Sequence, residues 1–332
     1  MTVSHLDRTL SVAPMMGCTD RHCRYLLRLI APNTLLYTEM VTTGALLHGN
    51  RDAFLDHAAD EPCALQLGGS DPVALAECAA FAEAAGYQEV NLNVGCPSDK
   101  VKLGGIGACL MAEPTLVARC ISAMQDRVGI PVTAKSRIGI DDADDYPTFR
   151  RFIATLYDAG CRVFIVHARK AVLGGLTPKE NREIPPLKYD YVYRIKAEFP
   201  DAAFILNGGI KSAGDALSLL AGVDGVMLGR AAYSDPFVLA DIEAQHYGTG
   251  FPDKLAILST YRDYVATSVA SGHHFKHMAR HLLGFFTGER GARAFRRHLS
   301  QHMFNAGADA SIIDDALAVS GLDRAPLTAT GT

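Results

Sequence analysis

The sequence predicts a (β/α)8 TIM barrel of the α/β class, followed by a small C-terminal helical bundle. Three observations predict it. Eight short apolar segments recur between Ser11 and Leu228, each followed by a capped or helically periodic stretch. Polar residues and glycines gather at the C-terminal ends of those segments, where a parallel barrel places its catalytic rim. Beyond Tyr247-Gly248-Thr249-Gly250-Phe251-Pro252 the strand signal stops, and only helical patterns remain.

The strand segments are 11–15, 35–41, 63–67, 89–94, 132–136, 163–167, 203–206 and 225–228. Between them, Ser70-Asp71-Pro72 opens a helix running to about Ala85, with proline at an early position. Glu113-Pro114-Thr115 opens another, and Ser212 to Ala221 is a third. Alternation at this spacing gives a parallel sheet. Eight units match a closed barrel better than an open doubly wound sheet, although periodicity leaves the open sheet as the alternative. The C-terminal helices are expected at about 253–271, 274–287, 291–304 and 309–320, separated by glycines at 272, 288 and 307. The domains are therefore read as 1–246 and 253–332.

The bulk numbers narrow the function classes. A chain of 332 residues with 48% hydrophobic content fills one large α/β domain and a smaller appendage. No stretch has the length of uncharged apolar sequence that a membrane span needs, and the N-terminus lacks the apolar run of a secretion signal. None of the eight cysteines forms a Cys-x-x-Cys pair, which disfavours zinc-ribbon and thioredoxin-like readings. A cytoplasmic enzyme with reduced thiols is the simplest reading. A net charge of −4 argues against a generally basic nucleic-acid binder. From His273 to His298, however, Lys276, Arg280, Arg290, Arg293, Arg296 and Arg297 face a single acid, Glu289. Such a stripe is a local anion-binding signal.

The most informative run is Asn91-Leu92-Asn93-Val94-Gly95-Cys96-Pro97. A thiol stands where a buried strand breaks into a loop; Pro97 stops the ladder and Gly95 permits close approach. A free cysteine usually behaves as a small buried hydrophobe. The Gly and Pro neighbours and the strand-end position favour a cysteine held out of the sheet, able to give or take a proton.

The other strand ends carry Ala13-Pro14-Met15, Thr38-Glu39-Met40, Gln66, Lys135 with Arg137, His167 with Arg169, Asn207-Gly208-Gly209, and Gly229-Arg230. Barrels commonly bind phosphate with the loops after strands seven and eight. Gly208, Gly209 and Gly229 free backbone amides for an anion, and Arg230 adds a bidentate cation. A phosphorylated cofactor follows. Gln66 and Lys135 suit the pyrimidine edge and N1 of a flavin, with His167 as a further donor. No Walker A motif and no G-x-G-x-x-G after a strand is present. A Schiff-base role for Lys135 stays open, with Arg137 on the same face lowering its pKa, but it leaves Cys96 without a purpose. His273, His277 and His281 fall at i, i+4 and i+8, a row that could bind metal; without a carboxylate partner and with Lys276 and Arg280 among them, no metal is expected.

With these residues in view, the chain resembles the tRNA-dihydrouridine synthases from about Ser11 to about Leu317. The resemblance rests on the rim segments above, the run Val94-Gly95-Cys96-Pro97-Ser98, Lys135-Ser136-Arg137-Ile138-Gly139 and Gly107-Ala108-Cys109-Leu110-Met111. Pro178 to Pro186 and Gly291 to Arg297 look like the A subfamily, whose members act at positions 20 and 20a of the tRNA D-loop. The resemblance implies an FMN-binding barrel domain and a helical tRNA-binding domain. It implies that NADPH reduces FMN, that hydride passes to C6 of uracil, and that Cys96 gives a proton to C5. By the same resemblance Asn93 positions the base. Ala13, Pro14, Met15, Gln66, Lys135, His167, Asn207, Gly208, Gly209, Gly229 and Arg230 contact FMN. Asn93, Lys179, Arg182, Arg293 and Arg296 contact tRNA. A monomer is expected, with tRNA and NADPH as partners. An FMN-dependent reductase of a free pyrimidine or small enone, and a non-catalytic RNA-binding protein, are the alternatives. The basic helical segment weighs against the first, and the intact rim against the second.

Overall fold

A computed structural model of the chain describes residues 6–57 and 59–324. Eight parallel strands form one sheet: β1 (Leu10–Val12), β2 (Leu36–Thr42), β3 (Cys63–Gly68), β4 (Glu89–Val94), β5 (Val132–Arg137), β6 (Val163–His167), β7 (Ala203–Asn207) and β8 (Gly225–Leu228). Their order is β1-β8-β7-β6-β5-β4-β3-β2. The ends meet through a parallel bridge between Ser11 and Leu35, with Val12 N donating to Leu35 O at 3.0 Å and Leu35 N to Leu10 O at 2.9 Å. The sheet is therefore a (β/α)8 barrel, and the open-sheet alternative is set aside.

Strand alternation decides what faces inward. Ala13, Leu35, Tyr37, Ala64, Ile165, Ile205 and Met227 form one buried cluster. Gln66, His167 and Asn207 each follow a member of that cluster by two residues. They therefore stand on the same face one layer further along, toward the strands' C-terminal ends. The helices between strands are started by their caps: Asp71 accepts from Ala74 N before Pro72–Ala84, and Ser212 with Asp215 forms a capping box before Ala213–Leu220. In the first of these, Leu75, Cys78, Ala79 and Ala82 are buried, the 3.6-period stripe of a helix lying on a sheet.

Two compact units divide the chain, and they do not break at the glycine- and proline-containing stretch 248–252. One unit holds the chain up to Arg21 and Asn33–Gly229; the other holds His22–Pro32 and the chain from Arg230. The helix Arg21–Ile30 supplies most of the transferred segment for a reason of packing. Tyr25 stacks on Tyr264 with ring centroids 4.2 Å apart, and His22 Nδ1 meets the Tyr264 hydroxyl at 2.6 Å. In that second unit the helices are Arg230–Ser234, Phe237–Tyr247, Lys254–Ala270, Phe275–Ala279, Ala292–His302 and Ser311–Ser320. The helix expected over 274–287 is instead a short α-helix ending at Ala279 followed by a 3-10 turn, Arg280–Gly284. Phe285, Phe286 and Phe295 meet edge to face in the unit's interior. Among the described residues no helix is long and apolar enough to cross a membrane.

Candidate active site

β4 and its neighbours place the central residues. Register aligns Gln66 with Asn91, Asn93 with Lys135, Arg137 with His167, and His167 with Asn207. Side-chain bonds tie the same residues together. Asn93 Nδ2 donates to Gln66 Oε1 at 2.8 Å, and Lys135 Nζ to Asn207 Oδ1 at 3.2 Å. Asn207 Nδ2 donates in turn to Met227 O at 2.7 Å. Asn91, named among the rim candidates, is fully buried a layer below, between Gln66 and Thr133.

The Cys96 loop is held from three sides. Asn93 Oδ1 accepts the backbone N–H of Gly95 at 3.1 Å and of Cys96 at 3.0 Å. Arg137 Nε donates to Gly95 O at 3.2 Å. Ala108 N donates to Cys96 O at 2.9 Å. Gly107 is required at this last contact: its φ is +79°, and a Cβ there would lie 2.6 Å from Cys96 O. The thiol itself is half-buried and lies 3.5 Å from the Ser98 hydroxyl. It is one of eight free cysteines.

Charge in this region is concentrated and desolvated. Burial, aided by the neighbouring Arg137 guanidinium, lowers Lys135 to about 7, while Cys96 acts in the opposite sense. Burial and the cations Arg137, Lys135, Arg169 and Arg182 hold His167 well below its ordinary value, so its imidazole is neutral at physiological pH. Arg137 is itself lowered to about 10, chiefly by burial. Its guanidinium Nη1 donates to Lys170 O and Asn181 O, so it also fastens the loop after β6. That loop is folded around Asn181, which is fully buried and exchanges hydrogen bonds with Val172 N and Val172 O. Neither structural role was read from the sequence, where Arg137 counted only as a like charge near Lys135. The sequence signal for it is an arginine two residues after a lysine, on one face of a strand.

Gly208 and Gly209 have φ of +114° and +77°. A Cβ on Gly208 would lie 2.6 Å from His167 Cδ2, and one on Gly209 would lie 2.6 Å from Leu187 Cδ1. Their backbone is thus kept bare both by conformation and by close neighbours. Ala13-Pro14-Met15 follows β1 rather than ending it, and Met15 Sδ lies 3.8 Å from the Cβ position of Gly229. Lys179 and Arg182 are exposed around a 3-10 turn, Glu180–Arg182. In the helical unit Arg293 and Arg296 are exposed on Ala292–His302, with Arg296 Nε on Leu283 O at 2.9 Å. Arg230 is exposed and starts a helix of that unit.

The histidine row does not form as expected, because the helix breaks: His273 precedes it, His277 is in its last turn and His281 is in the 3-10 segment. Among the described residues the one group with metal-ligand spacing is His57, Asp60 and Glu61. There Nε2 meets Ala85 O at 2.8 Å and Nδ1 meets Asp60 Oδ1 at 2.9 Å. Burial opposes the imidazolium, but the Ala85 hydrogen bond and the Asp60 and Glu61 charges outweigh it and raise the pKa. These contacts describe an ion pair.

The arrangement combines a positioned thiol, amides of fixed orientation, a half-buried amine and glycine-lined strand-end backbone on one end of a barrel. Proton transfer beside a bound, flat, hydrogen-bonding ligand is the chemistry it suits. Comparison with known proteins agrees in fold and goes further in family. A 2-naphthoyl-CoA reductase in complex with 2-naphthoyl-CoA superposes with a TM-score of 0.52 at 11% identity, over 72% of this chain and 50% of that one, which bears on the fold alone. The chain is 54% identical to a tRNA-dihydrouridine(20/20a) synthase of Pseudomonas syringae pv. tomato over 94% of both chains. It is 52% identical to one of Escherichia coli K12 over 94% of this chain and 92% of the relative. The dihydrouridine synthase profile matches residues 11–319, and with that match the chain belongs to the dihydrouridine synthase (Dus) family.

Proposed function

We propose that this chain reduces the C5=C6 bond of uridine in tRNA to 5,6-dihydrouridine, at positions 20 and 20a of the D-loop. The observation that carries the proposal is the Cys96 thiol, half-buried on a loop whose backbone is fixed by Asn93 and Arg137. Relatives named tRNA-dihydrouridine(20/20a) synthases, at more than half identity, support the substrate and the site.

Three features support FMN as the cofactor. Gln66 offers an amide whose orientation is set by Asn91 and Asn93. Lys135 is a half-buried amine beside Asn207, suited to partner an electron-rich ring edge. Gly208 and Gly209 form a strand-end turn of positive φ, packed too closely on His167 and Leu187 to admit a Cβ. Ala13 to Met15 and His167 would complete the ring contacts, and Gly208, Gly209, Gly229 and Arg230 would hold the phosphate. Bound FMN, re-reduced by NADPH, would supply the hydride for C6.

The chain's own residues do the rest. Asn93 orients the uracil, and Cys96 delivers the proton to C5, so hydride and proton together saturate the bond. His167, kept neutral, donates a hydrogen bond without adding a further charge. Lys179 and Arg182 in the barrel unit, and Arg293 and Arg296 in the helical unit, are the proposed tRNA contacts. They would position the backbone so that the target base can leave its stack. The reading places FMN binding in the barrel domain and tRNA binding in the C-terminal helical domain, with Lys179 and Arg182 as further tRNA contacts from the barrel, in a cytoplasmic enzyme.

The test uses purified protein with FMN, NADPH and unmodified tRNA, followed by digestion and mass spectrometry. An NADPH-dependent gain of two hydrogens in the D-loop fragment is the expected result. No gain, with NADPH consumed in the absence of RNA, would replace the proposal by reduction of a free pyrimidine or small enone.

A further inference from the structure

Glu89 is a charge that the proposed chemistry does not use. It is fully buried at the start of β4, where its carboxylate takes Arg8 Nε at 2.7 Å and the Tyr37 hydroxyl at 2.6 Å. A buried ion pair is often no more stabilising than apolar packing of the same volume, so stability alone is a weak reason for it.

A chain of hydrogen bonds leads from this carboxylate to the Cys96 loop. The Thr133 hydroxyl donates to Glu89 Oε1 at 2.7 Å. Asn91 Nδ2 donates to Thr133 Oγ1 at 2.8 Å, and Gln66 Nε2 donates to Asn91 Oδ1 at 2.7 Å. Asn93 Nδ2 donates to Gln66 Oε1 at 2.8 Å, and Asn93 Oδ1 accepts from Gly95 N and Cys96 N. Glu89, Asn91 and Asn93 are alternate residues of one strand, so the relay runs about 13 Å along it.

The polarity of this relay is dictated from its lower end. An ionised carboxylate only accepts, so the Thr133 proton must point at Glu89. The Thr133 oxygen then has only lone pairs for Asn91, which must present its NH2. The Asn91 oxygen therefore faces Gln66, whose NH2 must meet it, and the Gln66 oxygen faces Asn93. Asn93 is left with its oxygen toward the loop, where two backbone N–H groups need an acceptor. Amide orientation at each link follows from donor–acceptor logic.

We propose that Glu89 is a positioning residue: through Thr133, Asn91 and Gln66 its charge fixes the orientation of the Asn93 amide and thereby the placement of Cys96. The effect on turnover rests on the function proposed above; the effect on the loop does not.

The test compares Thr133→Val, which keeps the shape and removes the hydroxyl, with Thr133→Ser, which retains it. Amide hydrogen exchange is read on FMN-loaded protein for peptides spanning Gly95 and Cys96, with Pro72–Ala84 as a reference. Thr133→Val should speed exchange at Gly95 and Cys96 about fivefold, the equivalent of one hydrogen bond, and leave the reference unchanged. It should lower kcat for tRNA reduction with KM for tRNA unaltered, and Thr133→Ser should restore both. Where Thr133→Val does not fold, Asn91→Leu cuts the same relay one link higher and is read in the same way. A folded variant with wild-type exchange at Gly95 and Cys96 overturns the relay. Faster exchange at those two amides upholds it even in a protein that fails to reduce tRNA, an outcome that would instead remove the proposed function.

Discussion

Asn93 and Cys96 are joined by a side chain rather than by the strand ladder: Asn93 Oδ1 accepts the Cys96 N–H at 3.0 Å while its Nδ2 holds Gln66 at 2.8 Å. One amide therefore fixes both the loop that carries the thiol and a residue of the proposed flavin edge. Asn93→Ala should lower stability by about 1–3 kcal/mol, because it leaves two half-buried donors and a buried acceptor without their partner. It should also slow dihydrouridine formation roughly tenfold to a hundredfold, since misplacing the acid by an ångström is costly. Thermal unfolding and single-turnover assays of the same preparation check the two effects separately.

Cys96→Ala removes the acid and leaves the loop's backbone contacts, all of which use main-chain atoms of residues 95 and 96. The variant is expected to bind flavin and tRNA as the parent does and to lose turnover. Flavin absorbance, tRNA binding and single-turnover product analysis are the measurements. A normal single-turnover rate would take Cys96 out of the reaction.

Gly208→Ala is expected to be disruptive without touching any polar group. The residue has φ of +114°, and its Cβ would lie 2.6 Å from His167 Cδ2. Conformational strain of this kind costs about 1–3 kcal/mol, and the shifted imidazole would weaken the proposed flavin site. A lowered Tm together with a reduced flavin content on purification is the expected pair of results.

The strand-end residues were legible because alternation and strand polarity are local properties. Gln66, Asn93, Lys135, His167 and Asn207 all share the inward face that a period of two assigns them. Asn91 shares that face as well, but its depth depends on register with Thr133 and Gln66, which the strand's own sequence does not contain. The transfer of His22–Pro32 to the helical unit depends on Tyr25 meeting Tyr264, more than two hundred residues away. The helix expected over 274–287 breaks at Ala279 although no proline or glycine marks the place. Arg137 read as a charge beside Lys135; its bonds to Gly95 O and Asn181 O are made with segments from two other loops.

Lys135 makes stability depend on pH in a defined direction. Burial, with Arg137 second, lowers its folded pKa to about 7. Between that value and the ordinary lysine value the unfolded chain binds a proton that the folded chain does not, so stability rises with pH across this window. The cost of burying the charged amine is fully present below about 7 and fades toward the unfolded pKa. Lys135→Met should therefore raise the Tm of the flavin-free protein at pH 7, and the gain should shrink as pH approaches 10. A gain that is constant from pH 7 to 10 would mean that the amine is not titrating in the folded state.

Arg293 and Arg296 offer a test of the RNA surface that does not depend on catalysis. Both are exposed on Ala292–His302, and Arg296 is steadied by Leu283 O. Each phosphate contact releases counterions, so affinity falls with salt in proportion to the number of contacts. Replacing both by alanine should weaken tRNA binding and make the slope of log K against log salt shallower by about 1.5. The loss should be similar for different tRNA sequences, because phosphate contacts position rather than read bases. Titrations at several salt concentrations give both quantities. Weaker binding with an unchanged slope would mean that the arginines act on the fold of the helical unit, and the RNA surface would then have to be sought around Lys179 and Arg182.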